Sequence, residues 1–301
     1  MTGRERDHFM NNRLFSGTGT ALVTPFRDGS IDFEAFERLI DRQLDAGIDA
    51  LIVCGTTGEP STLTMQEREW LIECALRRTK GRVPVIVGTG SNNTGAVVEQ
   101  SKRAQKAGAD ALLIVTPYYN KTTQDGLIAH YTAVVDAVDI PIILYNVPSR
   151  TGLNMLPATA AELCLHKNIC GVKEAGGSIA QVTELARLCG SSAAIYAGND
   201  DQALPVLALG GQGVISAAAN VCPGPMKALT QRFFSGDLEG SRQLQLQLTP
   251  LFAALFAEVS PIPVKAALDI LGLCSDSVRL PLVPATSRCR AALQSLLAGA
   301  V

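Results

Sequence analysis

Histidine is scarce in this 301-residue sequence, limited to His8, His130 and His166, and no two of its 8 cysteines stand in a CxxC pair. A structural metal site built on clustered thiolates and imidazoles is therefore not expected. Basic blocks are missing too: 26 Lys and Arg are scattered among 28 Asp and Glu, for a formal net charge of -2. Such a chain has no field to draw nucleic acid or an acidic membrane surface, and neither is an expected partner. No apolar run reaches the length that spans a bilayer. The polar start MTGRERDHFMNNRLF lacks the apolar core of a signal peptide. Residues 1–12 read as a disordered lead-in, and the cytoplasm is the expected location. Several of the cysteines, such as Cys54, Cys170 and Cys189, sit in or beside apolar runs, so they are expected to be reduced, buried thiols.

What the sequence does have is alternation. Short apolar runs recur between Thr18 and Asn220, separated by helix-length amphipathic stretches. The runs are GTALVTPF, DALIVCG, VPVIVGTG, DALLIVTP, IPIILYNVP, ICGVKEA, AAIYAG and GVIS. Nearly unbroken apolar strands are the mark of a parallel sheet buried on both faces. The intervening stretches, among them FEAFERLIDRQLDAG and AVVEQSKRAQKAG, end in Ala-Gly, a helix C-cap signal. Eight strand-helix repeats with no second domain fit a closed (β/α)8 TIM barrel of the α/β class better than a doubly wound sheet. The barrel is expected over residues 1–222. Residues 223–301 lack a strand pattern and read as C-terminal helices packed on it, a helical extension of one structural unit.

In such a barrel the chemistry belongs at the C-terminal ends of the strands. The second strand runs into GTTGE, Gly55 to Glu59, where two glycines bracket two hydroxyls. This pattern serves either as an anion cradle or as an ordinary strand-to-helix turn with a threonine cap. The sixth strand ends in Lys173. Strict alternation puts Ile169, Gly171 and Lys173 on one face. If that face points inward, a lysine stands in an apolar barrel mouth with no carboxylate beside it. An uncharged amine there can attack a ketone to form a Schiff base. The bland alternative is a lysine with a buried stem and a solvated head. Tyr145, on the same face of the fifth strand as Ile143, can relay protons or merely pack. Arg150, in the loop that follows, is a natural carboxylate clamp or an ordinary surface arginine. Tyr118 and Tyr119 close the fourth strand in TPYYNK, where adjacent aromatics commonly serve packing or an interface.

Taken together, GTTGE, PYYNK, YNVPSRTG, GVKEA and GVIS resemble the pyruvate-dependent class I aldolases. More narrowly the chain is similar to the 4-hydroxy-tetrahydrodipicolinate synthase family, over nearly its whole length. That resemblance implies a lyase that joins pyruvate to L-aspartate 4-semialdehyde in lysine and diaminopimelate biosynthesis. By resemblance Lys173 forms the imine, and Thr56, Tyr145 and Tyr119 relay protons, Tyr119 from a neighbouring subunit. Thr57 joins Thr56 in holding the pyruvate carboxylate, and Arg150 holds that of the semialdehyde. Gly198 and Ile215 line the pocket with backbone. The resemblance implies no metal or organic cofactor, and a homotetramer built as a dimer of dimers. It also identifies departures. Lysine-inhibited members carry small residues after GTTGE, then two histidines and a glutamate. This chain keeps Asn92 and Tyr118 but has Pro60, Ser61, Met65 and Arg68, with Ala96 at the glutamate position. Feedback by L-lysine is expected to be weak or absent. Two rival readings share part of this set. N-acetylneuraminate lyases and 2-keto-3-deoxy sugar acid aldolases would keep Lys173 and Tyr145, but the lyases typically read GSTGE and lack the arginine. A non-catalytic keto-acid-binding barrel would be expected to have lost a reactive residue, and none is lost.

Overall fold

The computed structural model describes residues 14–190 and 192–298; the lead-in expected at 1–12 lies outside them. Eight parallel strands close into a barrel. They are β1 (Gly17–Ala21), β2 (Ala50–Val53), β3 (Val85–Gly88), β4 (Ala111–Val115), β5 (Ile142–Asn146), β6 (Ile169–Glu174), β7 (Ala194–Ala197) and β8 (Gly213–Ser216). Each pairs with the next, and β8 returns to β1 through Gly17↔Gly213 and Thr18↔Val214. All eight expected strands are present, because burial on both faces leaves little room for polar residues in any of them.

The apolar side chains separate into two clusters. Leu51, Val53, Val85, Val87, Leu112 and Ile114 point outward into a layer shared with the helices. Ala50, Ile52, Ile86, Leu113, Ile143 and Ile215 point inward and fill the barrel. Phe15 plugs the end away from the mouth, stacking on Tyr196 with ring centroids 4.5 Å apart. Each large aliphatic side chain buried this way contributes about 1.5–3 kcal/mol.

The ring of helices comprises α1 (Phe33–Asp45), α2 (Met65–Thr79), α3 (Thr94–Ala107), α4 (Gln124–Val135), α5 (Pro157–Leu163), α6 (Ile179–Cys189), α7 (Ala203–Ala208) and α8 (Pro223–Phe234). Side-chain caps start several of them. Asp32 accepts from the Ala35 N–H, Asn93 from Ala96, Thr123 from Gly126 and Ser178 from Gln181. Thr64 and Glu67 form a reciprocal capping box on α2. Gly108 ends α3 at φ +98, the left-handed turn that the Ala-Gly signal implies.

α8 falls within the stretch that reads as C-terminal helices, yet it closes the ring: Thr18 Oγ1 of β1 donates to Met226 O at 3.0 Å. Beyond it lie α9 (Leu238–Leu255), α10 (Ile262–Ile270) and α11 (Ser287–Leu297). None of the eight cysteines is in a disulfide, and all but Cys222 are buried.

Candidate active site

The strand ends set the site. On β6 the ladder slips by one residue: Ile142 pairs with Ile169, but Ile143 pairs with Gly171. Cys170 is the inserted residue, a β-bulge. The bulge corrects the alternation read from the sequence. Ile169 packs in the outer layer, while Cys170 joins the barrel interior. Gly171 and Lys173 keep the inward direction. A Cβ at Gly171 would sit 3.2 Å from the Tyr196 ring and 2.8 Å from Ala194 O, so only glycine leaves the backbone in place.

Lys173 is 6% exposed and stands beside Tyr145, its partner across the β5–β6 ladder. Its Nζ lies 4.3 Å from the centre of the Tyr145 ring. Among the described residues it makes no ion pair. Glu174, the next residue, is turned away: its carboxylate accepts from Asn146 Nδ2, Gln181 Nε2 and Gly176 N. Burial raises the Glu174 pKa against these hydrogen bonds.

At the end of β2, Thr56–Gly58 forms one 3-10 turn. Cys54 and Glu59 flank it, both with left-handed backbone at φ +54. Thr57 is 5% exposed. After β5, Pro148 starts a single helical turn that presents Arg150. Arg150 Nη2 donates to Ser260 O at 3.3 Å. After β7, Gly198 passes so close to Ala175 that a Cβ there would meet the Ala175 side chain at 2.5 Å.

Seven of the eight residues expected at the reaction site, Lys173, Tyr145, Thr56, Thr57, Arg150, Gly198 and Ile215, line one cavity of about 130 Å³. The eighth, Tyr119, does not. It stands 90% exposed with φ +69, outside the cavity of its own chain. A larger cavity, about 480 Å³, adjoins the first and shares Thr56, Val147, Arg150 and Ser260 with it. Tyr118, Met65 and Arg68 line that larger space. Arg68 donates to Pro60 O and Gly88 O there. Asn92 and Ala96 are not among its lining residues. The Asn92 carbonyl accepts from Asn120, and the Ala96 N–H is held by Asn93.

Some groups at the site were not anticipated from the sequence. Phe256 and Ser260 come from the segment between α9 and α10 and form one wall of the smaller cavity. Asp200 is 1% exposed, and its Oδ2 accepts from Ala217 and Ala218 N–H at the end of β8. Its Oδ1 has no hydrogen-bond partner among the described residues. Burial pushes its pKa up, and hydrogen bonds and the Lys173 charge oppose this. The only sequence signal was an unassigned Asp-Asp pair beside Gly198.

This geometry has counterparts. The family model described as the dihydrodipicolinate synthetase family matches residues 14–300. A 4-hydroxy-tetrahydrodipicolinate synthase of Thermoanaerobacter sp. (strain X514) is 52% identical over 285 residues, 94% of this chain and 96% of its own. The crystal structure of dihydrodipicolinate synthase from Thermotoga maritima superposes with a TM-score of 0.94 at 46% identity, covering 95% of this chain and 99% of that one. A dihydrodipicolinate synthase from Acinetobacter baumannii, solved in complex with pyruvate, superposes at 0.93 with 40% identity, covering 95% and 98%. With the match running over the barrel, the mouth and the C-terminal helices together, this chain belongs to the dihydrodipicolinate synthetase family.

Proposed function

We propose that this chain condenses pyruvate with L-aspartate 4-semialdehyde to give 4-hydroxy-tetrahydrodipicolinate, the entry reaction of lysine and diaminopimelate synthesis, through an imine on Lys173. The observation that carries the reading is the convergence of a buried lysine, with no ion pair among the described residues, with Tyr145, Thr56, Thr57 and Arg150 on one small cavity.

The chemistry follows from those groups. The Lys173 amine adds to the pyruvate ketone, and water leaves as the imine forms. The protonated imine withdraws electrons, so a pyruvate methyl proton is lost and an enamine results. Thr56 and Tyr145 hydroxyls carry protons to and from this centre without placing a full charge in it. The Thr57 side, closed by a 3-10 turn, receives the pyruvate carboxylate. The enamine carbon attacks the aldehyde carbon of the second substrate, whose carboxylate Arg150 holds by charge-assisted hydrogen bonds. The substrate's own amine then attacks the imine carbon, closes the ring and releases Lys173. No metal or organic cofactor enters these steps.

Tyr119 extends the proposal to the assembly. A tyrosine held 90% exposed at a left-handed backbone position is suited to reach a neighbouring subunit's mouth. The resemblance to the family supports a homotetramer, a dimer of dimers, acting in the cytoplasm. Among the described residues no helix is long and apolar enough to cross a membrane. The test of the reaction is condensation coupled to a downstream reductase, with cleavage of N-acetylneuraminate and 2-keto-3-deoxygluconate run beside it. Condensation supports the proposal; sugar-acid cleavage without condensation transfers the chain's chemistry to a sister aldolase and removes the role given to Arg150.

A further inference from the structure

Glu59 and Lys265 lie 206 positions apart in sequence, and their side chains meet with 1% and 0% exposure at an Oε1–Nζ distance of 2.5 Å. Glu59 is the last residue of the GTTGE loop, and Lys265 belongs to α10, outside the barrel. The pair is held further on both sides. Glu59 Oε2 accepts from the Arg279 N–H at 3.0 Å, and Lys265 Nζ donates to Ser277 O at 2.7 Å. Phe26 packs against two cations, with Lys265 Nζ 4.1 Å and the Arg279 guanidinium 4.3 Å from its ring centre.

The loop held by this pair is strained. Cys54 and Glu59 both take φ +54, a region that side-chain-bearing residues avoid, and they bracket Thr56–Gly58. Such backbone persists only where its surroundings over-determine it. Thr24 Oγ1 donates to Gly58 O at 2.8 Å and Thr62 Oγ1 to Glu59 O at 3.1 Å, while the Glu59 carboxylate ties this end of the loop to α10. A dry ion pair adds little net stability over a well-packed apolar pair. Its distinct property is direction: an apolar pair tolerates sliding, whereas a carboxylate fixed at both oxygens does not.

We propose that the Glu59–Lys265 pair is a positioning device, through which the C-terminal helices set the Thr56–Thr57 cradle to the geometry that binds the pyruvate carboxylate. The inference rests on the proposed role of that cradle. It makes Glu59 and Lys265 positioning residues for substrate, although neither lines the cavity around Lys173.

The experiment replaces the pair by an apolar one, E59L/K265M, and also makes the milder E59D, which withdraws the carboxylate by one methylene. Thermal unfolding verifies that each is folded. Pyruvate KM and kcat are then measured, together with borohydride trapping of the Lys173 imine formed from pyruvate and from acetone, a ketone without a carboxylate. A misplacement of the order of an ångström reduces efficiency by up to roughly 100-fold. The expected result is a loss of that order in kcat/KM for the double variant, carried by KM for pyruvate, with acetone trapped at the wild-type rate. E59D is expected to show the same split at roughly 10-fold, and it decides the matter if the double variant does not fold. A folded variant with unchanged pyruvate KM, or one that loses pyruvate and acetone trapping equally, overturns the inference. Failure of the wild-type protein to trap pyruvate would instead overturn the proposed function, so the two outcomes are distinct.

Discussion

Two buried lysines stand in contrasting surroundings. Lys173 and Lys265 are 6% and 0% exposed, and each lies over an aromatic ring, Tyr145 at 4.3 Å and Phe26 at 4.1 Å. Burial and ring contact therefore do not distinguish them. Partners do. Lys265 is closed by a carboxylate and a carbonyl, and although burial lowers its pKa, the Glu59 charge and hydrogen bond oppose this. Lys173 has no ion pair among the described residues and opens on a cavity. A lysine closed in by a fixed carboxylate and carbonyl is a structural ion. A lysine facing space beside hydroxyls is available for chemistry.

Exchanging each lysine for methionine breaks the comparison most sharply. Lys173→Met is expected to lower condensation by about 10⁴-fold or more, as removal of a nucleophile does, with thermal stability changed little, since Lys173 makes no ion pair among the described residues. Lys265→Met is expected to cost about 3–5 kcal/mol of stability by leaving Glu59 buried and unpaired, read as a lowered midpoint in denaturant unfolding. If the two variants show the same pattern, the contrast fails.

The next effect concerns the second substrate alone. Arg150→Ala should raise KM for the semialdehyde by roughly 10- to 100-fold, the worth of a charged hydrogen bond of about 1.5–3 kcal/mol. Pyruvate trapping should be unaffected; loss of both would place Arg150 in the structure of the site rather than on one substrate.

A smaller effect tests the ionic anchoring of the C-terminal segment. Arg279 donates to both Glu67 oxygens and lowers that carboxylate to about 2. The unfolded value is about 4.3. A carboxylate with a depressed folded pKa stabilises fully above its unfolded value, and that contribution is lost as pH falls towards the folded one. Stability should therefore drop by about 2 kcal/mol between pH 4.3 and 2 on this account, and Glu67→Gln should remove that portion of the acid slope. An unchanged slope would show that the pair contributes nothing.

The smallest expected effect is that of added L-lysine. Ala96 supplies no carboxylate for an ammonium group, and Arg68, which lines the larger cavity, adds a positive charge rather than an acceptor. Inhibition below millimolar lysine would contradict this.

The parts of the molecule legible in the sequence are those whose physics is local. A parallel strand buried on both faces must be apolar throughout, so eight runs disclosed the barrel, and the barrel located GTTGE, Tyr145 and Lys173 at its mouth. A bulge has no such signature, and Cys170 turned inward without warning because one inserted residue reverses the local alternation. The Glu59–Lys265 pair was illegible for another reason: it depends on where α10 docks, which no spacing encodes. Phe256 and Ser260 escaped notice likewise, as ordinary residues that become functional walls only through tertiary placement.

The central claim is that Lys173 carries pyruvate as an imine. The most direct measurement is the intact mass of the protein after incubation with pyruvate and borohydride, followed by peptide mapping. The account predicts one reduced pyruvate adduct per chain, located on Lys173 and missing in Lys173→Met. An unmodified chain, or an adduct on another lysine, would contradict it.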